Sequence, residues 1–311
     1  HMGRIWVRGP DAARLVNWVV TADVPALPKG RGRYTLVCTE EGNILDDGIV
    51  YRLGDEEYLV VCNAANRSVV WGWLARWNSE KFHNAQMQDR TLETSMIAFQ
   101  GPAAVDAMEK LSPGLPDRVR PFRIRKADVR GIATLVARTG YTGEDGFEVI
   151  SSSSQSADLM RVFIGAGATP CGLGARDILR LEAGLLLHGA DISSSTNPYE
   201  AGLERLVTVG KTSVCSEALD HIRTKGLHRK LTGFKMIGRG IPRHGYAILH
   251  NGETVGEVTS GGYSPTLDSY IGMGYVSVEL ANPGSRFIVD VRGRQQEAEA
   301  VTLPFYSRRR D

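Results

Sequence analysis

Short, mostly apolar runs at residues 49–53 and 58–62 read as strands, and Gly54, Asp55 and Glu56 lie between the two runs. That pattern predicts a β-hairpin. Residues 12–20 and Arg67–Trp77 repeat their apolar positions every three to four residues, which predicts two helices and, with the hairpin, a first α+β unit over residues 3–90. Residues 100–110 read as a helix with Pro102 near its first turn. Ile132–Ala137 and 147–150 read as strands flanking a glycine-rich turn, with further helices at 157–165 and 175–184. The last of these carries Arg176, Asp177, Arg180 and Glu182 beside an apolar face. Basic, glycine-containing residues 223–230 read as a linker, and the short strands and turns after it predict a small all-β domain.

Composition narrows the function classes only a little. The 311 residues include 37 basic and 35 acidic side chains, a net charge of +2 that gives no general case for nucleic-acid or membrane binding. The Arg308-Arg309-Arg310 run reads as a solvated terminus that could meet an anionic ligand tail. Four scattered cysteines without C-x-x-C spacing, two of them inside apolar strand-like runs, predict reduced thiols, a cytoplasmic setting and no metal site. No apolar run has transmembrane length.

Two places could carry chemistry. If the hairpin turns at Gly54–Glu56, cross-strand partners have numbers that sum to 110, so Arg52 faces Tyr58 and Asp47 faces Asn63. A carboxylate and a carboxamide would then project side by side; polar strand ends in water fit the same pattern. The second place is "ARTGYTGEDGFEV", residues 137–149. In its second strand Glu148 points away from Phe147 and Val149, so sheet coverage on both faces would bury it, and a buried acid needs donors. A guanidine-like or aminopyrimidine edge could give a carboxylate two parallel hydrogen bonds. Arg176 is a possible protein partner, or it serves a ligand carboxylate. Glu144 and Asp145 sit in the turn and are expected in water. The glycine-rich stretches around His244 and at 259–266 do not open a helix after a strand, as a phosphate loop must. His188 and His244 read as structural and exposed, respectively, and no serine sits in a nucleophile elbow.

Taken in order, "ILDDGIVY", "VCNAANR", "ARTGYTGEDGFEV", "GLGARDILRLEAGLLLHGADI", "NPYEAGLERLV", "GRGIPRHGYAI", "GEVTSGGYSPTLDSYIGMGYV" and the terminal "LPFY" resemble the glycine cleavage T-protein family, the aminomethyltransferases, across essentially the whole chain. The resemblance implies an α+β fold of three domains in a clover-leaf around a central folate-binding hole, with a C-terminal β-barrel or jelly-roll domain. The implied domains are residues 3–90 and 91–222, both folate-binding, and the barrel at 228–311. It implies a tetrahydrofolate-dependent aminomethyltransferase that takes a one-carbon unit from an aminomethylated, lipoylated carrier protein, releases ammonia and gives 5,10-methylenetetrahydrofolate. Asp47 matches the family's essential acid. Tyr34, Val61, Asn63, Tyr141, Glu148 and Arg176 match its folate-contacting positions, and no metal is implied.

The chain departs from the family in places. It begins at a motif that family members usually reach after a further segment, which implies a shortened first domain. Gly48 and Asn43 alter the wall beside Asp47, and "LLLHGADI" and "KTSVCSEAL" replace other family runs. These changes keep two alternatives open: a related folate-dependent N- or O-demethylase or methyltransferase acting on another small metabolite, and a non-catalytic folate-binding protein.

Overall fold

The computed structural model describes residues 2–308; His1, Arg309, Arg310 and Asp311 lie outside the described residues, so the expectation for the arginine tail is not addressed beyond Arg308. The described residues divide into two compact units, the first holding residues 2–140, 144–170 and 206–217 and the second holding residues 141–143, 171–205 and 218–308.

The first unit contains two antiparallel sheets. In chain order its first sheet is made of β1 (Met2–Arg8), β2 (Gly32–Cys38), β3 (Ile44–Arg52), β4 (Glu57–Asn63) and β5 (Gln86–Asp89), arranged β2-β3-β4-β1-β5. Helix α1 (Ala12–Val19) covers one face because its apolar positions recur at helical spacing, burying Ala12, Leu15, Val16 and Val19. Helix α2 (Arg67–Trp77) adds Val70 and Leu74 to the same core, which also holds Ile5, Val7, Val50, Val60 and Cys62.

The second sheet has β6 (Thr94–Gln100), β7 (Ile124–Val129), β8 (Ile132–Ala137) and β9 (Gly146–Ser152) in the order β6-β9-β8-β7. Phe147 and Val149 face a core with α3 (Ala104–Leu111), the one-turn α4 (Leu115–Arg118) and α5 (Ser156–Gly165). The opposite face carries Ala137 and Ile150, which pack with Trp6, Tyr51, Leu59 and Val61 of the first sheet. The two sheets of this unit therefore face each other across a shared apolar layer.

Two element boundaries differ from the sequence reading. Gln100 ends a strand rather than opening a helix, because it pairs with Gly146 on β9, and the helix begins only at Ala104. Of the linker read over 223–230, residues 223–225 end α7 (Ser216–Lys225) and 229–230 open the first barrel strand, so only residues 226–228 connect them.

In the second unit, α6 (Leu173–Glu182) and α7 accompany a closed barrel. Its strands are β10 (Arg229–Met236), β11 (Ala247–His250), β12 (Glu253–Ser264), β13 (Ser269–Ser277), β14 (Arg286–Val291) and β15 (Arg294–Val301), closing as β10-β13-β12-β11-β14-β15. Phe234, Ile248, Val258, Val276, Phe287 and Val289 fill its interior. The fold is thus α+β with a C-terminal all-β barrel, as the sequence predicts. Among the described residues no helix is long and apolar enough to cross a membrane.

Candidate functional site

The hairpin register is the one the turn dictates: Arg52 pairs with Tyr58, Tyr51 with Leu59 and Ile49 with Val61. Side chains alternate along a strand, so Asp47 shares a face with Ile49 and Tyr51, and Asn63 shares that face with Val61 and Leu59. This is the face turned toward the second sheet. The Asn63 amide reaches the Asp47 carboxylate, Nδ2 to Oδ1 at 2.9 Å, and the Asp47 carbonyl at 3.0 Å. Tyr34, paired with Ile49 from β2, donates its hydroxyl to Asp47 Oδ2 at 2.8 Å. Asp47 is 8% exposed, so its carboxylate is oriented by two neutral donors in a largely dry setting.

Sequence reasoning missed the residue beside it. Asp46 points to the opposite face and is fully buried. Its carboxylate accepts the Asn63 backbone N–H at 3.0 Å, the Asn63 amide at 2.9 Å and the Asn66 amide at 2.7 Å. The Asn63 amide has two hydrogens for three oxygens, so it is shared between the two aspartates and its rotamer is fixed from both sides. The signal was present in the sequence: two consecutive acids in an apolar strand must bury one on each face, and "NAAN" supplies two carboxamides.

Glu148 lies on β9 between Ala98 of β6 and Ala137 of β8, 8% exposed. Thr139 donates to its Oε2 at 2.6 Å, and the Tyr51 hydroxyl lies 2.8 Å from the Thr139 oxygen. Thr139 has one hydroxyl hydrogen, already given to Glu148, so Tyr51 is the donor to Thr139. Burial and the adjacent Glu148 charge push the Tyr51 phenol well above its usual pKa, which keeps that donor protonated. The relay Tyr51 to Thr139 to Glu148 joins the two sheets on the same face that carries Asp47.

The turn of the glycine-rich motif corrects one expectation. Asp145 is not left in water: Arg138 binds it through two nitrogens at 3.0 and 2.9 Å, and it accepts the Gly146 N–H at 2.8 Å. The Arg138 guanidinium also lies 5.6 Å from the Phe147 ring centre. This bidentate pair sets the geometry of the strand that carries Glu148. Gly143 adopts φ +77, a left-handed conformation that L side chains rarely take.

Tyr141 and Arg176 belong to the second unit. The Arg176 guanidinium sits 4.6 Å from the Tyr141 ring centre, and the Tyr141 hydroxyl donates to the Leu186 carbonyl. One helical turn further on, Arg180 is buried and bound to Asp191 at 2.7 Å, Asp177 at 2.8 Å and Ser260 at 2.8 Å. Asp191 also accepts from Thr259 and from the Leu187 N–H. His244 is exposed, with Nδ1 3.0 Å from the Thr259 carbonyl, and His188 is half-buried. Among the described residues no group of three or more His, Cys, Asp or Glu side chains is placed to hold a metal ion.

Comparison with known proteins accords with this architecture. Residues 1–211 match the GCVT N-terminal domain, and residues 229–307 match the glycine cleavage T-protein C-terminal barrel domain. The aminomethyltransferase of Symbiobacterium thermophilum is 42% identical over 98% of this chain and 84% of its own length. That of Geobacillus kaustophilus is 42% identical over 99% of this chain and 86% of its own length. The crystal structure of glycine cleavage system aminomethyltransferase T from Bartonella henselae superposes with a TM-score of 0.92 at 32% identity, covering 99% of this chain and 85% of that one. With family models matching residues 1–211 and 229–307 and a relative 42% identical over 98% of the chain, this protein belongs to the glycine cleavage T-protein family.

Proposed function

We propose that the protein is a tetrahydrofolate-dependent aminomethyltransferase. It takes the carbon of an aminomethyl group held as a thio-adduct on the lipoyl arm of a carrier protein, breaking its C–N and C–S bonds to release ammonia and the free dihydrolipoyl thiol, and bonds that carbon to N5 and N10 as 5,10-methylenetetrahydrofolate. The observation that carries this reading is the pair of buried carboxylates, Asp47 and Glu148, on the facing sides of two sheets in one unit, each oriented by hydroxyl or amide donors. Both are acceptors, and a reduced pterin presents N–H donors, so the donor set fits the ligand.

Bound tetrahydrofolate supplies the N5 nucleophile that accepts the one-carbon unit. Asp47 is the catalytic group in this reading. Tyr34 and Asn63 fix its direction without cancelling its charge, so it stabilises positive charge developing beside it. Glu148, held by Thr139, clasps the N–H edge of the pterin. Val61 contributes apolar contact. In the second unit, Tyr141 is assigned an aromatic contact with the folate and Arg176 the cation for its glutamate carboxylate. Residues 3–90 and 91–222 are then the two folate-binding domains, with the barrel at 228–311. Most of the rate gain comes from holding two reactants in place, an effect of up to about 7–11 kcal/mol. Four free cysteines support a reducing, cytoplasmic setting.

The test mixes the protein with tetrahydrofolate and aminomethylated lipoyl carrier protein, and follows ammonia and methylenetetrahydrofolate. Stoichiometric release of both is expected. Tight folate binding without turnover would overturn the aminomethyl donor and favour a different one-carbon substrate, whereas absent folate binding would overturn the reading as a whole.

A further inference from the structure

Glu148 stands in a row of three residues across the second sheet, with Ala98 of β6 on one side and Ala137 of β8 on the other. The next row on that face, Met96, Ile150 and Leu135, is larger and wholly apolar. The acid therefore has only methyl-sized neighbours across the sheet. Ala98, on the edge strand β6, is exposed, whereas Glu148 beside it is 8% exposed. The carboxylate thus borders open surface on one side and the apolar layer on the other.

Hydrogen counting sets its direction. Thr139 gives its single hydroxyl hydrogen to Glu148 Oε2 at 2.6 Å, so that oxygen is an acceptor. Tyr51, 1% exposed, occupies the acceptor side of the Thr139 oxygen at 2.8 Å. Reversing the chain would turn the Thr139 hydrogen toward Tyr51. The Tyr51 hydrogen would then lack an acceptor, because Thr139 is the partner of that hydroxyl among the described residues. A buried donor left without an acceptor is costly, so the chain runs one way, from Tyr51 to the acid.

The Thr139 backbone is itself held. Gln100 Nε2 donates to the Thr139 carbonyl at 3.0 Å and to the Phe147 carbonyl at 3.1 Å, tying the segment after β8 to β9 one residue before Glu148. A Cβ on Gly140 or Gly146 would collide with the Gln100 side chain, so both glycines make room for that carboxamide.

Packing alone does not require these hydroxyls. Phenylalanine at 51 and valine at 139 would fill nearly the same volume with no polar atom to satisfy, and the layer around Tyr51 is apolar, with Trp6, Leu59, Val61 and Ile150. Two hydroxyls are nevertheless carried into that layer, in line with one carboxylate.

We propose that Tyr51 and Thr139 are positioning residues: acting through Thr139, the Tyr51 hydroxyl holds Glu148 as an acceptor of fixed direction for the N–H edge of the ligand. That the ligand is tetrahydrofolate rests on the function proposed above; the orientation of the acid does not.

The test uses the full chain, with Y51F, T139V and T139S made alone, and with Y51F and T139V each combined with E148Q. Y58F, which removes a buried tyrosine hydroxyl on the opposite face of the same hairpin, is the control. Tetrahydrofolate affinity is measured by calorimetric titration, beside steady-state turnover, urea unfolding and isotope-edited infrared spectra of the ligand-free protein. In those spectra the band lost in E148Q marks the Glu148 carboxylate. Y51F is expected to weaken tetrahydrofolate binding by about three- to tenfold and T139V by about tenfold, with T139S restoring it and Y58F leaving it unchanged. KM for tetrahydrofolate should rise while kcat holds. In the E148Q background, Y51F and T139V should each change affinity by less than about twofold, because the group they act through is already altered. The Glu148 band should shift in Y51F and T139V and return in T139S.

Wild-type affinity in folded Y51F and T139V would overturn the positioning role, as would equal weakening in both backgrounds. If Y51F does not fold, T139V against T139S decides by the same readouts. Absent tetrahydrofolate binding by the unaltered chain would overturn the aminomethyltransferase reading instead, and the ligand-free infrared band would then decide alone: a band unmoved in the folded variants would overturn the positioning role, and a shifted one would uphold it.

Discussion

Asp191 in the second unit and Asp47 in the first are both buried aspartates, yet they are held in opposite ways. Asp191 is met by the Arg180 guanidinium, which also binds Asp177 and Ser260, and by Thr259 and a backbone N–H. Its charge is neutralised by a partner that is itself only 3% exposed. Asp47 is oriented by a tyrosine hydroxyl and an asparagine amide, which direct the carboxylate but carry no charge of their own. Burial of an ion costs several kcal/mol, and a guanidinium offsets that cost while removing the field the acid would project. The contrast separates an acid clamped by a buried guanidinium from one met by a tyrosine hydroxyl and an asparagine amide.

The sharpest way to break this contrast is to remove the cation. R180M should destabilise the fold by about 3–5 kcal/mol in urea unfolding, because Asp191 is left as a buried charge without its counter-ion. A loss below about 1 kcal/mol would show that Asp191 does not depend on it. D47N removes a charge while keeping shape, so turnover should fall about 10²–10³-fold with folate affinity within about tenfold. Unchanged turnover would remove Asp47 from the chemistry. E148Q should weaken folate binding by about 1.5–3 kcal/mol, the value of a charge-assisted hydrogen bond, read by calorimetric titration. D46N should cost about 1–3 kcal/mol of stability, since an amide placed among the Asn63 and Asn66 donors leaves one of them unmatched. Its turnover should also drop through a loosened Asn63; wild-type turnover in a destabilised D46N protein would confine Asp46 to the fold.

The sequence makes Asp47, Asn63 and Glu148 legible for a simple reason: alternation along a strand and a short turn set which side chains share a face. The same logic gives the burial of Glu148, since apolar residues on both faces of β9 leave it no route to water. What sequence patterns hide is pairing with distant chain. Gln100 looks helical beside Pro102, but its strand is specified by Gly146, some forty-six positions away in sequence. Asp145 looks solvated in a glycine-rich turn, and only the fold brings the Arg138 fork onto it. Asp46 was overshadowed by its neighbour because the two acids are adjacent in sequence and differ only in the face they occupy. The extreme case is the meeting of residues 29–32 with 122–124, which nothing in the pattern of either segment announces.

Gly48 sits between the acid and the rest of its strand. A Cβ placed there would lie 2.3 Å from the Val61 carbonyl oxygen, so β3 and β4 approach more closely than any side chain at this position permits. Larger residues at 48 would pry the hairpin apart and carry Asp47 away from Asn63. The spacing of β3 and β4 beside the acid is thus tied to the glycine that distinguishes this chain from the family's usual pattern, and a larger residue at 48 would need the two strands to move apart.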